Sequence, residues 1–167
     1  MNITLITTGG TIDKVYFDSK GGYEVGPPVA ERILIDGRVV DTMPIVELFR
    51  KDSLELTEDD RVAIREAVVA CGTPRVIITH GTDTMVETAR ALDRVFDKRV
   101  VLTGAIQPGG FSDSDASFNL GMAVAAVQVL PVGIYIVASG RVFPARNVHK
   151  NMELNRFEFL DPPGPQQ

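Results

Sequence analysis

The sequence has no tryptophan, one cysteine (Cys71) and two histidines (His80 and His149) in 167 residues. A single cysteine excludes an internal disulfide. Cys71 follows an apolar helical stretch and precedes Gly72, so a buried structural thiol is expected. No carboxylate or cysteine stands at metal-ligand spacing from either histidine, which leaves a zinc site without support and no cofactor implied. There is no Gly-x-Ser-x-Gly elbow for a serine triad, no Gly-x-Gly-x-x-Gly, and no Gly-Lys-Ser/Thr phosphate loop. Basic residues are few: 17 Lys and Arg against 22 Asp and Glu give a net charge of -5, with no basic run. That balance argues against nucleic acid and anionic membranes as partners. No apolar run approaches membrane-spanning length, and the chain opens without a charged n-region and apolar h-region, so a cytoplasmic location is expected.

Apolar residues make up 44% of the chain and are spread along its whole length, which predicts a folded domain with a sizeable core. Short β-branched runs alternate with helical stretches. Strands are expected at Ile3–Ile6, Ile45–Phe49, Arg75–Thr79, Arg99–Leu102 and Val132–Val137. Helices are expected at Val29–Ile35, Glu58–Ala70, Met85–Phe96 and Asp115–Leu130. Thr57 reads as the N-cap of the second, with Val62, Ala63, Ala67 and Ala70 (and Val69 beside them) as its apolar stripe. Strand, polar loop and helix in repetition predict a doubly wound, mostly parallel α/β sheet of the flavodoxin or Rossmann type with helices on both faces. One domain over residues 1–160 is expected, followed by a Pro-rich tail over 161–167. Val15-Tyr16-Phe17 and Tyr23-Glu24-Val25 flank a Gly-rich turn and read as a β-hairpin, either an ordinary surface hairpin or a flap.

The polar clusters fall at the carboxyl ends of the strands, where open α/β sheets place their ligands. Thr7-Thr8-Gly9-Gly10-Thr11-Ile12 follows the first strand. It offers close backbone approach at the glycines and a stiffly held hydroxyl at Thr11, the ingredients of a nucleophile beside an oxyanion hole. A plain tight turn is the alternative. His80-Gly81-Thr82-Asp83-Thr84 follows the third strand. There His80 reads as a buried, hydrogen-bonded residue, and Asp83 suits proton transfer and the N-cap of the next helix equally. Lys150, in Arg146-Asn147-Val148-His149-Lys150, is either a solvated surface lysine or a buried proton shuttle.

Together, Thr8-Gly9-Gly10-Thr11-Ile12 and Thr79-His80-Gly81-Thr82-Asp83-Thr84-Met85, with Glu87-Thr88 behind, resemble the L-asparaginase/glutaminase family of Thr-dependent amidohydrolases. Gly104-Ala105 with Pro108, Phe118-Asn119-Leu120 and the Lys150 segment add weaker support, and the likeness runs from about Ile3 to Lys150, the family's amino-terminal domain. The resemblance implies hydrolysis of L-asparagine to L-aspartate and ammonia through a threonine acyl-enzyme, with no metal. It implies Thr11 as nucleophile and Thr82, Asp83 and Lys150 as a second catalytic group, with Thr82 the alternative nucleophile or the residue that positions water. Tyr23 would be the flap tyrosine leaning on the nucleophile. Gly10, Ser53, Gly81, Thr82 and Asp83 would line the substrate subsite, with Ser53 taking the α-carboxylate and Asp83 the α-ammonium. A homo-oligomer, dimer or tetramer, is also implied, and the Ala/Gly-rich helix around Gly121 fits it. Two features depart from the family pattern: this sequence stops where members continue into a second, smaller domain, so a short, single-domain form is expected, and Gln107 stands where many members carry arginine. An amide sensor with little turnover, and an amidase for glutamine or a larger amide, are the alternative readings.

Overall fold

The structure, a computed structural model, describes residues 1–18, 21–41, 43–95 and 97–162. Six strands form the main sheet: β1 (Ile3–Gly9), β4 (Ile45–Lys51), β5 (Arg75–Thr79), β6 (Arg99–Thr103), β7 (Gly133–Ala138) and β8 (Arg141–Pro144). Their spatial order is β4-β1-β5-β6-β7-β8; the first five in this order are parallel and β8 pairs antiparallel with β7. Two small antiparallel hairpins complete the strands: β2 (Lys14–Phe17) with β3 (Gly22–Val25), and β9 (His149–Asn151) with β10 (Arg156–Glu158).

Strand alternation divides the core into two layers. On β5, Val76 and Ile78 join one cluster with Ile64 and Val68 of helix α2 (Glu58–Ala70) and Val86 and Ala89 of α3 (Met85–Ala91). Ile77 faces the other way, into a cluster with Ile33 of α1 (Ala30–Asp36) and Leu120, Ala123 and Val127 of α4 (Ala116–Val129). Helices therefore cover both faces, as expected, and the central strands are apolar on both sides. No helix among the described residues is long and apolar enough to cross a membrane.

The five expected strands and four expected helices are all present; the strand Arg75–Thr79 and the helix Glu58–Ala70 have the expected ends, and the others are shifted. The third helix stops at Ala91 and passes into a turn, and its expected last residue, Phe96, lies outside the described residues. So do Ser19 and Lys20 of the hairpin turn and residues 163–167 of the tail. The stripe expected on α2 is corrected: Asp60, Arg61, Ile64 and Val68 are buried, whereas Val62 and Val69 are exposed. Ile64 and Val68 lie one turn apart and set the buried face with Asp60 and Arg61; Ala63 and Ala67 are half-buried beside it, and Ala70 is exposed. Cys71 is half-buried rather than buried, at the C-cap of α2.

Thr57 caps α2 as the sequence suggested. Its hydroxyl accepts from the Asp60 N–H, and the Asp60 carboxylate accepts from the Thr57 N–H at 2.8 Å, a reciprocal capping box. Thr57→Ala is expected to lower stability by about 1 kcal/mol, read as a lower urea midpoint with an unchanged slope.

Candidate active site

Taken in chain order, the five parallel strands stand as 2-1-3-4-5, so the connections leave in opposite directions from the gap between β1 and β5. A crevice at the carboxyl ends of the strands is required at that gap, and it is where doubly wound sheets bind ligands. The two Thr-containing clusters leave β1 and β5 at this point.

Gly10 makes their approach possible. It has φ 88° and ψ -173°, a region essentially confined to glycine. A Cβ there would lie 2.3 Å from the Gly81 nitrogen and 2.4 Å from its Cα, so the two loops touch backbone to backbone. Gly81 in turn presses on Ser53, whose Oγ would lie 2.6 Å from a Cβ at position 81. Ser53 is 2% exposed and belongs to a short 3-10 turn, Ser53–Glu55, capped by Asp52. The end of β4 is bound in as well: the Lys51 carbonyl accepts from the Gly10 N–H at 2.9 Å, and the Thr84 hydroxyl donates to the Ser53 carbonyl at 2.7 Å. Gly10, Ser53, Gly81 and Thr82 thus converge from three strand ends.

Thr11 opens a 3-10 turn, Thr11–Asp13, and is half-buried. Thr82 is buried, and its Oγ1 accepts a hydrogen bond from the Lys150 ammonium at 2.6 Å. The same ammonium donates to Asp83 Oδ1 at 2.5 Å. The Lys150 side chain is only 4% exposed, against 34% for Asp83. The structure thereby rejects the surface-lysine reading. It also removes the N-cap role from Asp83: Thr84 is the N-cap residue of α3, and the Asp83 carboxylate accepts from Lys150. Charge-assisted contacts of this length are strong when one partner is withdrawn from water. The chain Thr82 hydroxyl, ammonium, carboxylate is arranged to move a proton to or from the hydroxyl.

Lys150 reaches this place because of elements that the sequence reading did not foresee. β8 returns along β7 through a two-residue turn in which Ser139 and Gly140 both have positive φ (51° and 81°), the turn that matches strand twist. Beyond it, β9 and β10 pair so that Lys150 stands opposite Phe157. Phe157 stacks on Phe143 with ring centroids 6.3 Å apart, and Phe143, 1% exposed, meets Phe159 at 4.6 Å. The Arg90 guanidinium donates to the Val148 carbonyl at 3.1 Å just before β9. Apolar stacking on one strand of the hairpin therefore holds the lysine on the other.

Tyr23 is on the hairpin, as expected, but its ring is half-exposed and stands edge-on to Tyr16 (5.4 Å) and Phe111 (6.0 Å). The hairpin is seated against the loop after β6 and carries its tyrosine toward Phe111.

His80 is fully buried. Its Nδ1–H donates to the Gly81 carbonyl at 2.7 Å, which leaves Nε2 to accept from the Thr88 hydroxyl at 2.8 Å. Burial pushes its pKa down to about 4, so the ring is neutral and structural at physiological pH. Behind the site, the Asp115 carboxylate accepts from the N–H groups of Ile106 (3.0 Å) and Gln107 (3.0 Å) and from the Asn119 amide (2.8 Å). Asn119 also bonds the Gly104 carbonyl and the Ser139 N–H, each at 2.9 Å. Asp115 and Asn119 are four residues apart on an otherwise uncharged helix, and that spacing was the available signal for the network. Asp13, buried two residues beyond Thr11, gave no such signal.

The family described as "Asparaginase, N-terminal" matches residues 2–165. A glutaminase-asparaginase of Acinetobacter glutaminasificans is 29% identical over 173 residues, covering 95% of this chain and 52% of the relative. A glutamyl-tRNA(Gln) amidotransferase component from Methanococcus vannielii is also 29% identical, over 93% of this chain and 38% of that protein. Among solved structures, the thermostable L-asparaginase from Thermococcus kodakarensis superposes with a TM-score of 0.83 at 28% identity, over 98% of this chain and 52% of the other. The chain spans about half the length, or less, of the curated relatives it matches. The strand order, the touching glycine loops and the family match agree: this chain belongs to the asparaginase amino-terminal domain family.

Proposed function

We propose that this chain is an amidohydrolase that releases ammonia from L-asparagine through a threonine acyl-enzyme. The observation that carries the reading is the buried Lys150 held between the Thr82 hydroxyl and the Asp83 carboxylate, at the crevice where Thr11 leaves β1. Thr11 Oγ attacks the side-chain amide carbon, and the N–H groups of Thr11 and Thr82 receive the oxyanion. The proton of the Thr11 hydroxyl passes to the amide nitrogen, which leaves as ammonia; water then attacks the ester carbon and one of its protons returns to the Thr11 oxygen, relayed through Thr82, Lys150 and Asp83. Ser53 and Asp83 hold the α-carboxylate and α-ammonium of the amino acid, and Gly10 and Gly81 give it room. Tyr23 approaches Thr11 when the hairpin closes.

A second reading assigns the first attack to Thr82, and the 2.6 Å contact favours it, because Thr82 is the threonine already touching a proton carrier. An aminoacylated nucleic acid as substrate is disfavoured by the net charge of -5. The test is ammonia release from L-asparagine, L-glutamine and D-asparagine by the native protein and by Thr11→Ala. Turnover of one amide that disappears in the variant supports the assignment. Binding of the amino acid with no turnover at millimolar concentration leaves a sensor, and an acyl group trapped on Thr82 transfers the nucleophile's role.

A further inference from the structure

The residue two positions beyond Thr11 has no part in the chemistry above, yet it joins everything that leaves the Thr11 turn. Asp13 is 1% exposed. Its N–H donates to the Gly10 carbonyl at 3.1 Å, and its own carbonyl accepts from the Gly26 N–H at 2.8 Å. Its Oδ1 accepts from the Val29 N–H at 2.9 Å. The hairpin β2–β3 runs from Lys14 to Val25, so Asp13 holds the outgoing limb covalently, the end of the returning limb by the Gly26 bond and the start of α1 by the Val29 bond. The other carboxyl oxygen, Oδ2, is buried with no partner among the described residues.

We propose that Asp13 is a positioning residue for Thr11: its buried carboxyl clamps the base of the hairpin to the Thr11 turn, and because the ionised form is short of donors in that place, ionisation favours opening of the clamp. The inference rests on the Thr11 reading above and adds a regulator to the same site. A buried carboxylate needs several donors or a cation beside it, and Asp13 has one donor.

The charged groups around it do not supply the deficit. On β4, Glu47 and Arg50 face it with opposite signs and bond to each other. Lys14, the next residue, is paired with Asp52 at 2.7 Å. On α1, Arg32 is committed to the Gly109 carbonyl at 2.6 Å, and Glu31 lies with Glu47 along the cleft beside Pro27 and Pro28. Burial is the largest cause raising the Asp13 pKa from 3.8 to about 7; Glu47 adds to the rise, while the Val29 N–H and Arg50 oppose it. The open form titrates near 3.8 and the folded form at about 7, so the clamp is at full strength only below about pH 4, weakens as pH rises between the two values, and levels off above about pH 7.

The test is backbone-amide hydrogen exchange of the native protein and Asp13→Asn, resolved at Gly26 and Val29 by NMR. Asparagine keeps an oxygen for the Val29 N–H and has no proton to lose in this range. In the native protein, protection at Val29 is expected to fall about tenfold between about pH 6 and about pH 8.5, and in Asp13→Asn to stay within about twofold. The variant-to-native ratio of kcat/KM is expected to rise severalfold over the same range. Native protection that does not change with pH, or an equal loss in Asp13→Asn, overturns the proposal. Should Asp13→Asn not fold, the carbon-13 titration of the Asp13 carboxyl in the native protein decides: a midpoint near 4, or one unaccompanied by the Val29 amide shift, also overturns it. None of the exchange measurements depends on turnover, so they separate failure of this clamp from failure of the amidohydrolase reading.

Discussion

Lys150→Met is expected to lower kcat for amide hydrolysis by about a thousandfold, with a smaller change in KM. Methionine matches the length of the lysine stem and keeps its packing beside Phe157, while removing the one group that touches both the Thr82 hydroxyl and Asp83. The loss falls on the chemical step rather than on the fold. Asp83 remains about one-third exposed, so its charge is still solvated when the ammonium is gone, and thermal unfolding should shift by only a few degrees. Steady-state kinetics beside a melting curve make the measurement. Activity within tenfold of the native protein would remove Lys150 from the proton path.

The second large effect belongs to a residue with no side chain. Gly10→Ala is expected to destabilise the protein by about 3 kcal/mol or more, because two costs add. A residue with a Cβ is strained at φ 88° and ψ -173° by about 1–3 kcal/mol, and the new methyl would sit 2.3 Å from the Gly81 nitrogen. Relief comes only by parting the loops after β1 and β5, which moves Thr11 away from Thr82. Stability and kcat/KM should therefore fall together, read by urea titration and by the ammonia assay. Gly72→Ala is the control: a Cβ there meets nothing within 4 Å, and the expected change is within about 0.5 kcal/mol. Equal effects at the two positions would sink the account of the loop contact.

The parallel half of the molecule was legible because its signals are local. Runs such as Arg75–Thr79 are apolar on both faces, and Thr57 with Asp60 announces a helix start in four residues. The site was legible wherever a motif sits at a strand end, as at Thr11 and at Thr82-Asp83. What the sequence could not give was the route of the chain beyond β7. Ser139-Gly140 lies between apolar runs and is a turn signal, but a three-residue strand such as β9 has no period of its own to read. The burial of Lys150 depends on Phe157 and Phe159 meeting Phe143 of β8, a contact that no local pattern encodes. Asp13 was illegible for a similar reason. An acid between Ile12 and Lys14 looks like any surface acid until the returning hairpin limb covers it.

The position of Lys150 in the chain bears on how the protein is made. Its partners Thr82 and Asp83 are 68 and 67 residues upstream, and it reaches them on a hairpin outside the main sheet. Contacts of such separation form late, since the loop they close must first be restrained by the packing of everything between. A nascent chain that has emerged only as far as β7 already carries both threonines and Asp83, but not their lysine. The Thr82 hydroxyl thus acquires its ammonium partner only after the chain has extended past Phe157 and the Phe143–Phe157 contact has closed. On the proposed reading, chemistry therefore arrives after the parallel sheet is built, and any opening of the β9–β10 hairpin from the sheet removes it first.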